Sequence, residues 1–229
     1  MPAFNEEASI AEAVSRCHDV LSSLGGAFEI IVVNDGSFDE TAGVVKSLEL
    51  DCVFLVSHPV NLGKGASLIE GWRRSSGQLV CFLDGDLDID CRGIGHFASR
   101  LQSRDIPVDV VVGSKTHKDS VVNYPLGRRI QSRAFKFIVR RLFGLSVGDT
   151  QTGLKMFKRA VLDDCLPNVQ TDGFAFDLEL LALAQLKNYR LVEEPVHVDF
   201  KFSSTVGPKA AIQVFIDTLR IRFRLRRSL

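Results

Sequence analysis

The chain has 229 residues, with 28 Lys+Arg against 28 Asp+Glu. That length suits one large α/β domain able to bury roughly 70% of its unfolded surface without a disulfide or metal. Its 45% hydrophobic and 24% charged residues exclude disorder, collagen and coiled coil, and zero net charge argues against a dedicated nucleic-acid binder.

The elements alternate along the chain. Residues 7–24 place Ile10, Val14, Cys17, Leu21 and Leu24 on one helical face. Glu29–Asn34 reads as a buried strand, residues 39–50 as a helix, Cys52–Ser57 as a strand and Gly65–Ser75 as a helix. Gln78–Leu83 and Val108–Gly113 are further strands. Strands apolar on both faces and separated by helices predict parallel βαβ units in a covered sheet. Beyond residue 125 come a long basic helix (125–143), a loop (144–153), a short strand, a helix over 174–187 and the strand-like Arg190–Phe200. No repeat or linker divides the chain, which reads as a single domain. Five widely spaced cysteines without C-x-x-C point to a reduced, cytoplasmic compartment. The five histidines show no ligand spacing, Trp72 reads as packing, and no run of about 18 apolar residues or signal-peptide pattern is visible.

Polar clusters follow strand ends. Asp35-Gly36-Ser37 succeeds one strand and Asp84-Gly85-Asp86-Leu87-Asp88 another. Open parallel sheets bind ligands beyond the carboxyl ends of their strands, so both loops belong to one edge. Alternate aspartates facing one point repel one another, and a hard divalent cation relieves that repulsion. An acidic solvated loop, or aspartates capping a helix over 92–104, is the alternative for this short motif taken alone.

The motif does not stand alone. Pro2-Ala3-Phe4-Asn5-Glu6-Glu7, Val33-Asn34-Asp35-Gly36-Ser37, Asn61-Leu62-Gly63-Lys64-Gly65, Asp84-Gly85-Asp86, Asp149-Thr150-Gln151-Thr152-Gly153-Leu154-Lys155 and Phe176-Asp177-Leu178-Glu179-Leu180-Leu181 succeed one another in that order. The set resembles the inverting family 2 glycosyltransferases of GT-A fold, and within them the polyprenyl- or dolichyl-phosphate glucose or mannose synthases. The resemblance implies a GT-A (Rossmann-like), mostly parallel central sheet flanked by helices. It implies a nucleotide-binding half over 1–115, an acceptor half over 116–207 and a basic amphipathic helix over 208–229. Pro2, Phe4, Glu6 and Asp35 would line the nucleotide site. Asp84 would contact nucleotide or donor sugar, and Asp86 with Asp88 would hold Mg²⁺ or Mn²⁺. Lys115, Arg128, Ser132 and Lys155 would hold phosphates of donor or acceptor, and Glu179 would lie toward the acceptor. Lys115 and Lys155 stand where Arg is frequent, and a Lys offers no bidentate fork. Lys64 reads either as a group approaching the donor or as a surface lysine.

The implied reaction moves a hexose from a UDP- or GDP-sugar to polyprenyl phosphate with inversion. A phosphate monoester carries about −1.5 to −2 charges near neutrality and attacks without a base. The arginines and lysine of residues 128–141 suit such an anion. A saccharide hydroxyl acceptor, the competing reading, requires a general base, for which Asp177 and Glu179 are the candidates. Ile212, Phe215, Ile216, Leu219 and Phe223 form an apolar stripe among arginines. That pattern suits either a helix lying on an anionic membrane or partner, or one packed on the core. Relatives carry a hydrophobic strand before the P-x-x-N-E motif, whereas here Met1-Pro2 opens the chain. The expectation is a sheet lacking its first strand; a truncated, non-catalytic relative is the remaining alternative. A sugar nucleotidyltransferase is disfavoured because no G-G-x-G-T-R-type loop is present.

Overall fold

The computed structural model describes residues 1–122, 139–173, 175–198 and 208–227, with side chains of the last segment described over 216–225. Helices are α1 (Ile10–Leu24), α2 (Thr41–Lys46), α3 (Lys64–Arg74), α4 (Gly93–Gln102), α5 (Arg159–Cys165), α6 (Phe176–Leu186) and α7 (Pro208–Arg227). Strands are β1 (Pro2–Ala3), β2 (Ile30–Asn34), β3 (Val53–Ser57), β4 (Leu79–Leu83), β5 (Val110–Ser114), β6 (Val121–Val122), β7 (Leu154–Lys158), β8 (Leu191–Pro195) and β9 (His197–Val198). Residues 139–143 close the expected basic helix; its earlier part lies outside the described residues.

The strands form two main sheets. β1, β2 and β3 are parallel neighbours in that order, and the second sheet runs β4-β7-β5-β8. β8 is parallel to β5, and β6 to β9, so parallel pairings predominate. β7 departs from the expectation of simple βαβ units: it enters between β4 and β5 and is antiparallel to both. Leu154–Lys158 returns from a distant part of the chain, and no local pattern encodes such a pairing. The two-residue β1 lies beside β2. The Met1 ammonium donates to the Ile31 carbonyl at 2.8 Å, and Val33 N–H donates to Met1. Burial pushes that ammonium's pKa down. No ladder joins β1 to β4 among the described residues.

Strand alternation sorts the core into two layers. Val110, Val112, Phe82 and Phe157 join Leu68 of α3, Leu162 of α5, Leu178 and Leu181 of α6 and Ile221 of α7. Val111, Leu154 and Met156 point the other way, to Ile10 and Val14 of α1 and Phe97 of α4. Helices therefore cover both faces, which is why β2 and β5 read as unbroken apolar runs. Two expected boundaries shift: α2 is shorter than 39–50, and the strand over 190–200 divides at Val196. Leu24, assigned to the buried face of the first helix, is 49% exposed, because the helix ends at Gly25 in a left-handed conformation (φ 70°). No helix among the described residues is long and apolar enough to cross a membrane.

Candidate active site

The first motif loops are stitched together by backbone hydrogen bonds. Asp35, at the end of β2, is 3% exposed. Its Oδ1 accepts the Leu62 N–H at 2.9 Å and lies 2.7 Å from His58 Nδ1, and its Oδ2 accepts the Gly63 N–H at 2.8 Å. The carboxylate expected beside the base is thus spent on the turn that opens α3. Gly63 (φ 95°) is needed there, since a Cβ would stand 2.7 Å from the Asp172 carbonyl. Asn5 (φ 55°) accepts the Phe38 N–H at 2.9 Å and donates its own N–H to Ser37 Oγ at 3.0 Å. Glu6 N–H donates to Thr41 Oγ1 at 2.8 Å. Phe4, 39% exposed, meets the edge of Phe38, 89% exposed, with ring centroids 6.0 Å apart. Burial pushes the Glu6 carboxyl's pKa up; the Ser9 hydroxyl it accepts opposes this and nearby Asp86 adds to it.

The acidic loop follows β4. Asp86 Oδ1 accepts the Asp88 N–H at 3.0 Å, an Asx-type turn with Leu87 in the left-handed region (φ 61°). Asp86 has no ion pair among the described residues, and its carboxyl is pushed up by burial and by repulsion from Asp84. A half-buried, cation-hungry carboxylate of this kind fits Mg²⁺ or Mn²⁺, which commonly take one or two carboxylates and complete their shell with phosphates and water. Correspondingly, no group of three His, Cys, Asp or Glu in ligating arrangement occurs among the described residues.

Asp84 is held differently. Its oxygens lie 2.7 and 2.8 Å from Lys64 Nζ, and its N–H donates to the Gly153 carbonyl at 3.1 Å. A Cβ on Gly153 would collide with the Asp84 carboxylate, which accounts for the glycine of D-T-Q-T-G. Lys64 Nζ also lies 3.7 Å from Asp177 Oδ2, and Asp177 Oδ1 lies 2.9 Å from Lys155 Nζ. Four charges of alternating sign therefore run from Asp84 at the site to Lys155 in the core. Lys155 is 1% exposed and also donates to the Thr152 carbonyl, so its ammonium, expected on a phosphate, is enclosed by protein instead. Burial pushes the Lys155 ammonium's pKa down despite Asp177. Burial acts on Lys64 in the same sense, but Asp84 and Asp177 outweigh it and hold that ammonium above the usual lysine range.

Glu179, expected toward the acceptor, is a buried acid held by protein partners. It is 0% exposed, accepts the Gln170 and Thr171 N–H groups at 3.2 and 2.9 Å, and pairs with Arg224 of α7. Lys115 follows β5 and gives its N–H to Asp149 Oδ2 at 2.8 Å. Pro2 lies in β1, with its carbonyl near Gly85. Arg128 and Ser132 lie outside the described residues. Sequence reasoning missed the His58–Asp35 contact, Phe38 and the Arg224–Glu179 pair. Of these only Phe38 carried a local cue, a large apolar residue following Asp35-Gly36-Ser37. Trp72, read as packing, packs against the core and also donates Nε1–H to Asp163.

Residues 1–166 match glycosyl transferase family 2, to which the chain belongs. It is 30% identical over 200 residues to glycosyltransferase AglD of Haloferax volcanii, covering 86% of this chain and 32% of that protein. It is 29% identical over 240 residues to the dolichyl-phosphate beta-glucosyltransferase of Dictyostelium discoideum, covering 98% of this chain and 73% of that one. The chain thus spans about a third of the archaeal relative and about seven-tenths of the protist one. Among solved structures it is similar to Mycobacterium tuberculosis glucosyl-3-phosphoglycerate synthase in complex with UDP, with a TM-score of 0.71 at 21% identity, covering 96% of this chain and 78% of that chain. The same enzyme with Mn²⁺ and UDP-glucose gives 0.68 at 21% identity, covering 96% and 76%.

Proposed function

We propose that this protein transfers glucose from UDP-glucose to a polyprenyl (dolichyl-type) phosphate with inversion. The observation that carries the reading is the state of the two acids available as bases for a hydroxyl acceptor. Asp177 is 2% exposed between two lysines, and Glu179 is 0% exposed and bound to two N–H groups and Arg224. Neither can take a proton from an incoming hydroxyl, whereas a phosphate nucleophile requires no such help. The dolichyl-phosphate relative supports the same acceptor. In this reading Phe4 and Glu6 flank the nucleotide, Asp84 faces the donor sugar, and Asp86 with Asp88 would hold a divalent cation. That cation would supply Lewis-acid stabilisation of the departing diphosphate. Lys64 neutralises Asp84, so only the Asp86 end of the loop is left to meet the donor's phosphates. Lys115, Arg128 and Ser132 would serve the phosphates, and residues 1–115 and 116–207 would form the donor and acceptor halves.

Attachment would be peripheral, at the cytoplasmic membrane face. α7 packs through Thr218, Ile221 and Leu225, leaving Ile216, Leu219 and Phe223 of the predicted stripe exposed beside Arg220. The side chains of Ile212 and Phe215 lie outside the described residues. An apolar stripe flanked by arginine suits an anionic bilayer.

The test is transfer from radiolabelled UDP-glucose and GDP-mannose, with Mg²⁺ or Mn²⁺, to a short polyprenyl phosphate or to saccharides. Glucosyl lipid phosphate from UDP-glucose is expected. Transfer to saccharides but not to lipid phosphate would overturn the reading.

A further inference from the structure

We infer that Asp177 is a positioning residue for transfer: it holds Lys64, and through Lys64 the Asp84 carboxylate, with Lys155 as the buried counter-charge. The inference rests on the proposed function, since it assigns Asp84 to the donor sugar. Three elements meet at this point. Asp84 directly follows β4, Lys64 opens α3 and Asp177 lies in the first turn of α6. Lys64 Nζ contacts both Asp84 oxygens (2.7 and 2.8 Å) and approaches Asp177 (3.7 Å). The ammonium is therefore hydrogen-bonded to Asp84 and lies within ion-pair distance of Asp177, so two carboxylates from different elements fix where its charge rests. A flexible four-carbon side chain would otherwise sample many rotamers, carrying its charge with it.

Lys155 is the counter-charge that Asp177 meets in the core. A carboxylate 2% exposed needs a near cation, and Lys155 Nζ supplies it at 2.9 Å from a position that is itself 1% exposed. Lys155 also donates to the Thr152 carbonyl, so within the core it ties Asp177 to the segment that ends in Gly153. Removing Asp177 would leave the Lys64 and Lys155 ammonium groups without the carboxylate between them, with Asp84 still paired to Lys64. Lys64 would then be drawn toward Asp84, or one lysine would lose its proton. Either change moves Asp84 relative to Asp86 without touching the nucleotide loops around Phe4, Glu6 and Asp35.

The experiment compares D177N and the double variant D177N/K155M with wild type. It measures UDP binding with Mn²⁺, kcat and KM for UDP-glucose, the pH–rate profile and Tm. D177N is expected to bind UDP within about twofold of wild type while kcat falls about 100-fold, the scale of a displacement near 1 Å. The double variant replaces the buried ion pair by uncharged groups, which is often neutral for stability. It is expected to regain the wild-type Tm and keep the low kcat. Recovery of turnover in the double variant would show that Asp177 only neutralises Lys155, and would overturn the inference. So would a parallel loss of UDP binding, turnover and Tm in D177N. An acidic limb of the pH–rate profile that disappears in D177N would mark Asp177 as a general base, with the same consequence. A wild-type chain that neither binds UDP-glucose nor transfers glucose overturns the proposed function itself, and this inference with it.

Discussion

At the carboxyl ends of β1 and β2, motif side chains meet backbone: Asp35 takes two amide N–H groups and Asn5 braces Phe38. At the start of α6 they meet each other, as Asp177 lies between two lysines and Glu179 pairs with Arg224. The first arrangement shapes loops and leaves aromatic and acidic groups at the surface. The second buries its charges where their mutual attraction is strong and their desolvation costly. Motif membership alone therefore does not tell which acid faces substrate. Asp86, with no ion pair among the described residues, sits between the two regimes.

The largest effect that could break this contrast concerns Asp86. D86N is expected to lower transfer by about 10²–10³-fold, as when an electrostatic contact to the developing charge is lost. Its folded pKa is raised, so the folded protein binds more protons than the unfolded chain between the ordinary carboxylate range and that raised value. Stability contributed by this group is thus lost as pH rises through the window. D86N removes the loss and should melt above wild type at pH 7 in metal-free buffer, while Mn²⁺ should raise the wild-type Tm more. A lower Tm for metal-free D86N would show that Asp86 is a scaffold acid like Glu179.

Glu179 tests the other side. E179A takes the acceptor away from the Gln170 and Thr171 N–H groups and breaks the ion pair with Arg224, which keeps its bond to Gln170. It should cost about 2–3 kcal/mol, below the figure for a wholly buried pair because the Arg224 side chain is 30% exposed. Urea denaturation reads this directly, and unchanged stability would contradict the buried-brace assignment. G153A sharpens the join between the regions. Its Cβ must displace the Asp84 carboxylate, so kcat should fall about 10–100-fold with UDP binding retained. The smallest effect lies on α7. Phe223 is 68% exposed, so F223S should leave Tm unchanged yet weaken co-sedimentation with anionic vesicles by about 1–2 kcal/mol. Equal co-sedimentation would remove this helix from membrane attachment.

Much of the order of strands and loops was legible because its information is local. A β-branched run followed by Asp35-Gly36-Ser37 announces both a buried strand and the loop at its carboxyl end. Alternating acids after Leu83 mark a candidate site, since repulsion between neighbouring carboxylates is visible without coordinates. Helical and strand periods placed most elements within a few residues, because each period follows from backbone geometry. The six ordered motifs likewise carried the family.

What only the tertiary structure decided is where distant charges meet. Lys64 and Asp177 are over a hundred residues apart, and no period or spacing says that they meet, or that Asp84 and Lys155 flank them. The antiparallel entry of β7 between β4 and β5 brings Lys155 into the core and Gly153 against Asp84, turning an expected phosphate ligand into a buried counter-charge. The outward face of α7 was likewise settled by which residues found partners on α6. Sequence dictates short-range preference, because torsions and neighbouring side chains act over a few residues. Electrostatic partnership depends on distance in space and on exclusion of water, and both exist only once the sheets and helices have packed.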